Sequence, residues 1–191
     1  VDPIVTASQI VVGMQTIVSR QVNITEVPAI VTVGAIQGGV RNNIIPDSVV
    51  MIGTIRTFEP RQRALVFESV RRTAEQIAAS AGARARVVID SGYPVTYNDS
   101  TLTQRMVPSL TRVAGRDVQI QPLVTGAEDF SYFQARVPGL FVFLGVTPRD
   151  QDWRKAAANH SPYFFADEAA LPTGVRAMAS LAVDYLLAPK R

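Results

Sequence analysis

The chain has 191 residues, 47% of them hydrophobic and 18% charged, with a formal charge of +3. It has no cysteine, which excludes disulfides, thiol nucleophiles and thiolate metal ligands. Its arginines are scattered with no Lys/Arg run, which argues against a nucleic-acid surface, and no apolar run is long enough to span a bilayer.

The chain opens at Val1 without a methionine, so we expect it to begin inside a longer protein. Asp2 before Pro3 suits a helix N-cap followed by a first-turn proline. Apolar residues then recur at Ile4, Ala7, Ile10, Val11, Met14, Ile17 and Val18, which is helical spacing. Residues 28–39 (PAIVTVGAIQGG) and 48–58 (SVVMIGTIRTF) read as two strands joined by a turn, an antiparallel hairpin. Pro60 starts a second helix with core positions at Leu65, Val66, Val70, Ala74 and Ile77, and Gly82 is placed to end it. The alternation in ARARVVIDSGYP predicts a third strand.

The order α-β-β-α-β is a ferredoxin-like unit without its first strand. Asn98, Asp99 and Ser100 read as a linker and cap before a helix from Thr101 to about Ala114. VQIQPLVTG reads as a short strand, AEDFSYFQARV as helix or loop, and Pro138–Val146 (PGLFVFLGV) as a buried strand. A long loop holds the chain's only histidine, His160, and a helix rich in Ala, Met and Leu closes the chain. We expect two α/β pieces, residues 1–96 and 97–191.

Taken one at a time, the polar candidates are unspecific. A loop histidine needs two or three further donors to make a metal site. Glu128 and Asp129 are adjacent, so they diverge rather than pair, and they suit a helix N-terminus equally well. Gly126 allows close backbone approach to a ligand. Asn43 lies at the hairpin turn, where asparagine usually serves the backbone. Arg56, near the end of an apolar strand, is either a surface group or a bidentate clamp for a carboxylate.

In order, the motifs stop looking independent. DPI (2–4), GGVRNNIIPD (38–47), GTIRTF (53–58), GAEDFSYF (126–133), PGLFVFLG (138–145) and NHSPYFFADEAAL (159–171) run the length of the chain. Together they resemble the metallo-aminoacylase and carboxypeptidase G family, in particular its hippurate hydrolases and indole-acetyl-amino-acid hydrolases. The GAEDF and NHSPYF elements at this separation carry most of the resemblance.

The resemblance implies an α/β catalytic domain with two divalent metal ions, usually zinc, with manganese, cobalt or nickel as alternatives. It also implies an inserted ferredoxin-like lid domain that mediates homodimerisation. Residues 1–96 match the later part of the lid, and residues 97–191 the C-terminal part of the catalytic domain. His160 matches a metal ligand, Asn43 and Arg56 match lid residues that contact substrate, and Glu128 beside Gly126 takes a positioning role. The implied reaction is hydrolysis of the amide bond of N-acyl amino acids or small peptides with a free carboxylate.

The family's general base and remaining metal ligands match nothing in this sequence. The chain alone is therefore expected to hold no metal and to be inactive, with no catalytic residue of its own. A cytoplasmic location is expected, or an exported one if an upstream segment carries a signal. Two rivals remain: a non-catalytic α+β binding or oligomerisation module, and an RNA-binding ferredoxin-like domain. The second lacks the strand-face aromatics it would need.

Overall fold

The computed structural model describes residues 1–187. They divide into two compact units, Val1–Val95 with Thr125–Ala127, and Thr96–Val124 with the residues from Glu128 on.

In the first unit, Asp2 caps helix α1 (Pro3–Thr16), its carboxylate accepting from the N–H groups of Ile4 and Val5. The helix continues through a π-helical turn, Ile17–Gln21. Ala7, Ile10, Met14 and Ile17 form its buried face, as the spacing predicts, while Ile4 stays exposed. Strands β1 (Ala29–Gly38) and β2 (Val49–Thr57) pair antiparallel, with a register shift between Val33 and Ala35. Near that bulge a Cβ on Gly53 would lie 2.2 Å from the Thr32 carbonyl oxygen, so the strand needs glycine there.

Pro60 opens helix α2 (Pro60–Ser80), capped by Glu59. The helix ends at Gly82, whose φ of +72° supplies the left-handed residue. Val66, Val70, Ala74 and Ala78 of α2 pack with Ile10, Met14 and Ile17 of α1. Val31 and Val33 of β1, with Met51 and Ile55 of β2, close this core from the hairpin side. Leu65 departs from expectation: it is 45% exposed, one position off the buried stripe.

The predicted third strand is corrected. Within residues 83–91, Ala83, Ala85, Val87 and Ile89 turn alternately onto the core. They form no ladder; the described sheet holds only β1 and β2. Alternation records which face is buried, not whether a neighbour accepts the backbone hydrogen bonds.

The second unit is built on helix α3 (Ser100–Ala114), capped by Asp99, and helix α5 (Leu171–Leu187). Across their contact Asp184 accepts from the Ser109 hydroxyl and pairs with Arg112. Arg105 donates to the Tyr185 carbonyl (3.0 Å) and stacks over the Tyr185 ring. Both strands predicted in this half are corrected: neither VQIQPLVTG nor Pro138–Val146 forms a ladder. The second is not buried either, with Val142, Phe143 and Leu144 exposed by 39, 59 and 41%. Asn98 takes the place of a strand partner, its side-chain amide donating to the Phe141 carbonyl (2.8 Å) and accepting from the Phe141 N–H (2.7 Å). The last residues of the predicted closing helix, Ala188 onward, lie outside the described residues.

Candidate functional site

Arg56 sits opposite Ile30 on β2, and its side chain leaves the sheet on the face away from the core-facing Met51 and Ile55. Its guanidinium donates to the carbonyl of Thr125. That bond attaches Arg56 to the three-residue segment containing Gly126, which clusters with the first unit. A guanidinium carries five N–H donors, so others remain for a ligand. Among the described residues no carboxylate pairs with it. It therefore keeps the bidentate capacity that a free carboxylate requires.

Asn43 is exposed in the loop between β1 and β2, beside a turn in which the Ile44 N–H donates to Arg41 (3.4 Å). Arg56 is seven residues along β2 from Val49, roughly 23 Å of strand. The hairpin thus places Asn43 and Arg56 toward opposite ends and does not bring them together.

Glu128 is half-buried at the start of the short helix α4 (Ser131–Gln134). Its carbonyl, not its carboxylate, starts that turn, accepting from the Ser131 N–H (3.1 Å) and hydroxyl (2.6 Å). One helical turn has little macrodipole for the acid to complement. Gly126 does not use a left-handed backbone; Gly39, Gly82, Gly92 and Gly115 do.

His160 is exposed in a turn closed by the Ser161 N–H donating to the Ala158 carbonyl (3.1 Å). Its φ of +69° makes it the one non-glycine residue with positive φ among those described. Left-handed backbone costs an L-residue about 1–2 kcal/mol, and such residues gather at functional positions. The imidazole fits one position of a metal centre and no more. Among the described residues no group of three His, Asp or Glu side chains converges. No catalytic step through a metal follows from this chain alone.

Sequence reasoning missed two groups here. The Thr125 carbonyl acts through its backbone, which a side-chain pattern does not reveal. Asn98 reads as linker or cap from sequence but bonds to Phe141.

Comparison with known proteins places the chain in a family. Residues 5–184 match the family model described as peptidase family M20/M25/M40. The chain is 41% identical over 174 residues to N-acetyl-L-cysteine deacetylase of Bacillus subtilis, covering 89% of this chain and 39% of that protein. It is 34% identical over 197 residues to the IAA-amino acid hydrolase ILR1-like 4 of Arabidopsis thaliana, covering 98% of this chain and 43% of that one. The Bacillus subtilis YXEP protein, described as a dinuclear metal binding peptidase, superposes with a TM-score of 0.76 at 34% identity. That superposition covers 97% of this chain and 47% of the YXEP chain. The chain spans less than half the length of these relatives, and over that span it belongs to the M20/M25/M40 peptidase family.

Proposed function

We propose that the protein containing this chain is a metal-dependent amidohydrolase. Its substrates are N-acyl amino acids or small peptides with a free carboxylate. The observation that carries the reading is the family match across residues 5–184, with the exposed Arg56 guanidinium paired with no carboxylate among the described residues.

In this reading Arg56 binds the substrate carboxylate, and its bond to Thr125 limits the rotamer freedom lost on binding. His160 supplies one ligand to a pair of divalent ions, zinc in the simplest case. The bound ions would supply a water acidic enough to attack near neutral pH. Glu128 and Gly126 shape the wall beside the reacting bond. Asn43 contacts substrate as well. An amino-acid-sized substrate is too short to bridge the two ends of one hairpin, which fits a homodimer whose second copy brings its own Asn43. In this reading the chain is inactive by itself, because its described residues gather too few donors to hold the metal pair.

The test uses the protein expressed from its full open reading frame. It is expected to hold about two divalent ions and to cleave N-acyl amino acids. Arg56→Ala should lower kcat/KM by roughly 30- to 1,000-fold, about 2–4 kcal/mol, with metal content unchanged. An unchanged kcat/KM would remove Arg56 from the site. A protein that holds no metal and cleaves nothing would leave the non-catalytic module as the reading.

A further inference from the structure

Residues 83–91 are placed like a strand but bonded like none. Ala83, Ala85, Val87 and Ile89 pack on the core that Met51 and Ile55 of β2 also cover, while Arg84, Arg86, Val88 and Asp90 are exposed. From Arg84 to Asp90 no backbone N–H or carbonyl makes a hydrogen bond among the described residues. β2 likewise bonds β1 along one edge and no described strand along the other. An unpaired edge is a template for another extended segment, and here two of them lie over one core.

The directions of these segments are fixed by three contacts. Gly82 heads the segment where α2 ends. At its foot Arg63, in the first turn of α2, donates to the carbonyls of Ser91 (3.5 Å) and Tyr93 (3.3 Å). The segment therefore runs parallel to β2, with α2 as the crossover between them. A Cβ on Gly82 would lie 3.6 Å from the Val1 side chain, and one on Gly39, just past β1, 3.7 Å from Ile4. The backbone thus enters α1 at the head of residues 83–91. A strand leading into Val1 would run toward that end, antiparallel to β2 and to residues 83–91 alike.

We propose that β2 and residues 83–91 bracket an acceptor slot for one extended segment. Its occupant is the stretch of the same polypeptide that leads into Val1 in the protein from its full open reading frame. The chain spans less than half the length of the relatives it matches, which leaves room for such a stretch. The occupant bonds through its backbone to both edges, and every second side chain, apolar, reaches the core between Met51, Ile55, Val87 and Ile89. The slot belongs to the first unit and holds whether or not the protein binds metal.

The test uses the protein from its full open reading frame and needs no substrate. Amide exchange is followed from Arg84 to Asp90. We expect alternate amides to exchange roughly 100-fold or more below the rate of an unstructured peptide. Arg86→Cys is then combined, in a cysteine-free background, with single cysteines scanned over roughly ten residues before Val1, a long strand's length. A disulfide within one polypeptide, at one position or at alternate positions, is the expected result. Disulfide-linked dimers would give the slot to a second copy and overturn the occupant. Protection with no disulfide at any scanned position would give it to another segment and overturn the occupant as well. Exchange at the unstructured rate throughout residues 84–90 of the wild-type protein overturns the slot itself, without recourse to any variant.

Discussion

Glycine 53 shows how one residue can decide a strand. Its missing Cβ makes room for the Thr32 carbonyl across the hairpin, at the irregular stretch of the β1–β2 register. The obstacle is backbone, so no side chain can turn away to relieve it. Gly53→Ala should therefore destabilise the chain by about 1–3 kcal/mol in urea unfolding, the cost of an overpacked contact. A smaller loss would mean that the strands slide apart freely. From sequence, Gly53 read only as part of GTIRTF. The distance that explains it exists once Thr32 is paired opposite. His160 has the same history: its residue type raised the question, and only its φ separates it from an ordinary loop histidine.

Among the elements, the helices were legible because their signals are local. Asp2 and Asp99 accept from the first-turn N–H groups as capping predicts, Pro60 opens α2 and Gly82 ends it. The extended segments were half legible. Alternation in residues 83–89 correctly gave the inward face, whereas the apolar run at 138–146 forms neither a ladder nor a buried segment. Neither pattern could say whether a neighbouring strand exists. Pairing is a property of two segments, and sequence periodicity reports on one.

The α3–α5 contact was invisible for the same reason, since Asp184 lies 75 residues from Ser109 and 72 from Arg112. The Ser109 hydroxyl, and then the Arg112 guanidinium, hold the Asp184 carboxyl below its usual value of 3.8, with burial opposing them. A depressed carboxyl stabilises the folded state above its unfolded pKa, and that contribution disappears as pH falls through the lower folded value. Wild type should therefore lose thermal stability to acid below about pH 4 more steeply than Asp184→Asn. At neutral pH the variant should melt lower than wild type. Parallel acid limbs in the two proteins would show that Asp184 contributes nothing to the contact.

At the scale of the whole molecule, the accessible surface is 14534 Å². Two separate compact units of half the mass each would together expose about 11,000 Å². Part of the excess is apolar: Ile120, Leu123, Phe143 and Phe165 are all more than half exposed. Exposed apolar area on this scale binds hydrophobic dyes and drives association. The isolated chain should enhance ANS fluorescence well above a compact protein of equal mass and should self-associate as concentration rises. A monomer that leaves the dye dark would show that these side chains find cover within the chain. The motifs revealed a family, yet the residues described gather no group of three metal donors. A motif is legible in any stretch that contains it, but a site needs all of its contributors in one place.

The perch of Arg56 on Thr125 has a practical consequence for anyone dissecting this protein. Residues 125–127 cluster with the first unit although the sequence on both sides of them belongs to the second. The backbone therefore changes units at three points rather than one. A recombinant piece ending at Val95 would keep β2 and Arg56 but lose the carbonyl to which that arginine donates. Binding measured on such a truncated product would report a floppy cation, not the oriented one. Domain mapping by simple truncation is thus biased against finding the role assigned to Arg56, whereas point substitution in the intact protein is not.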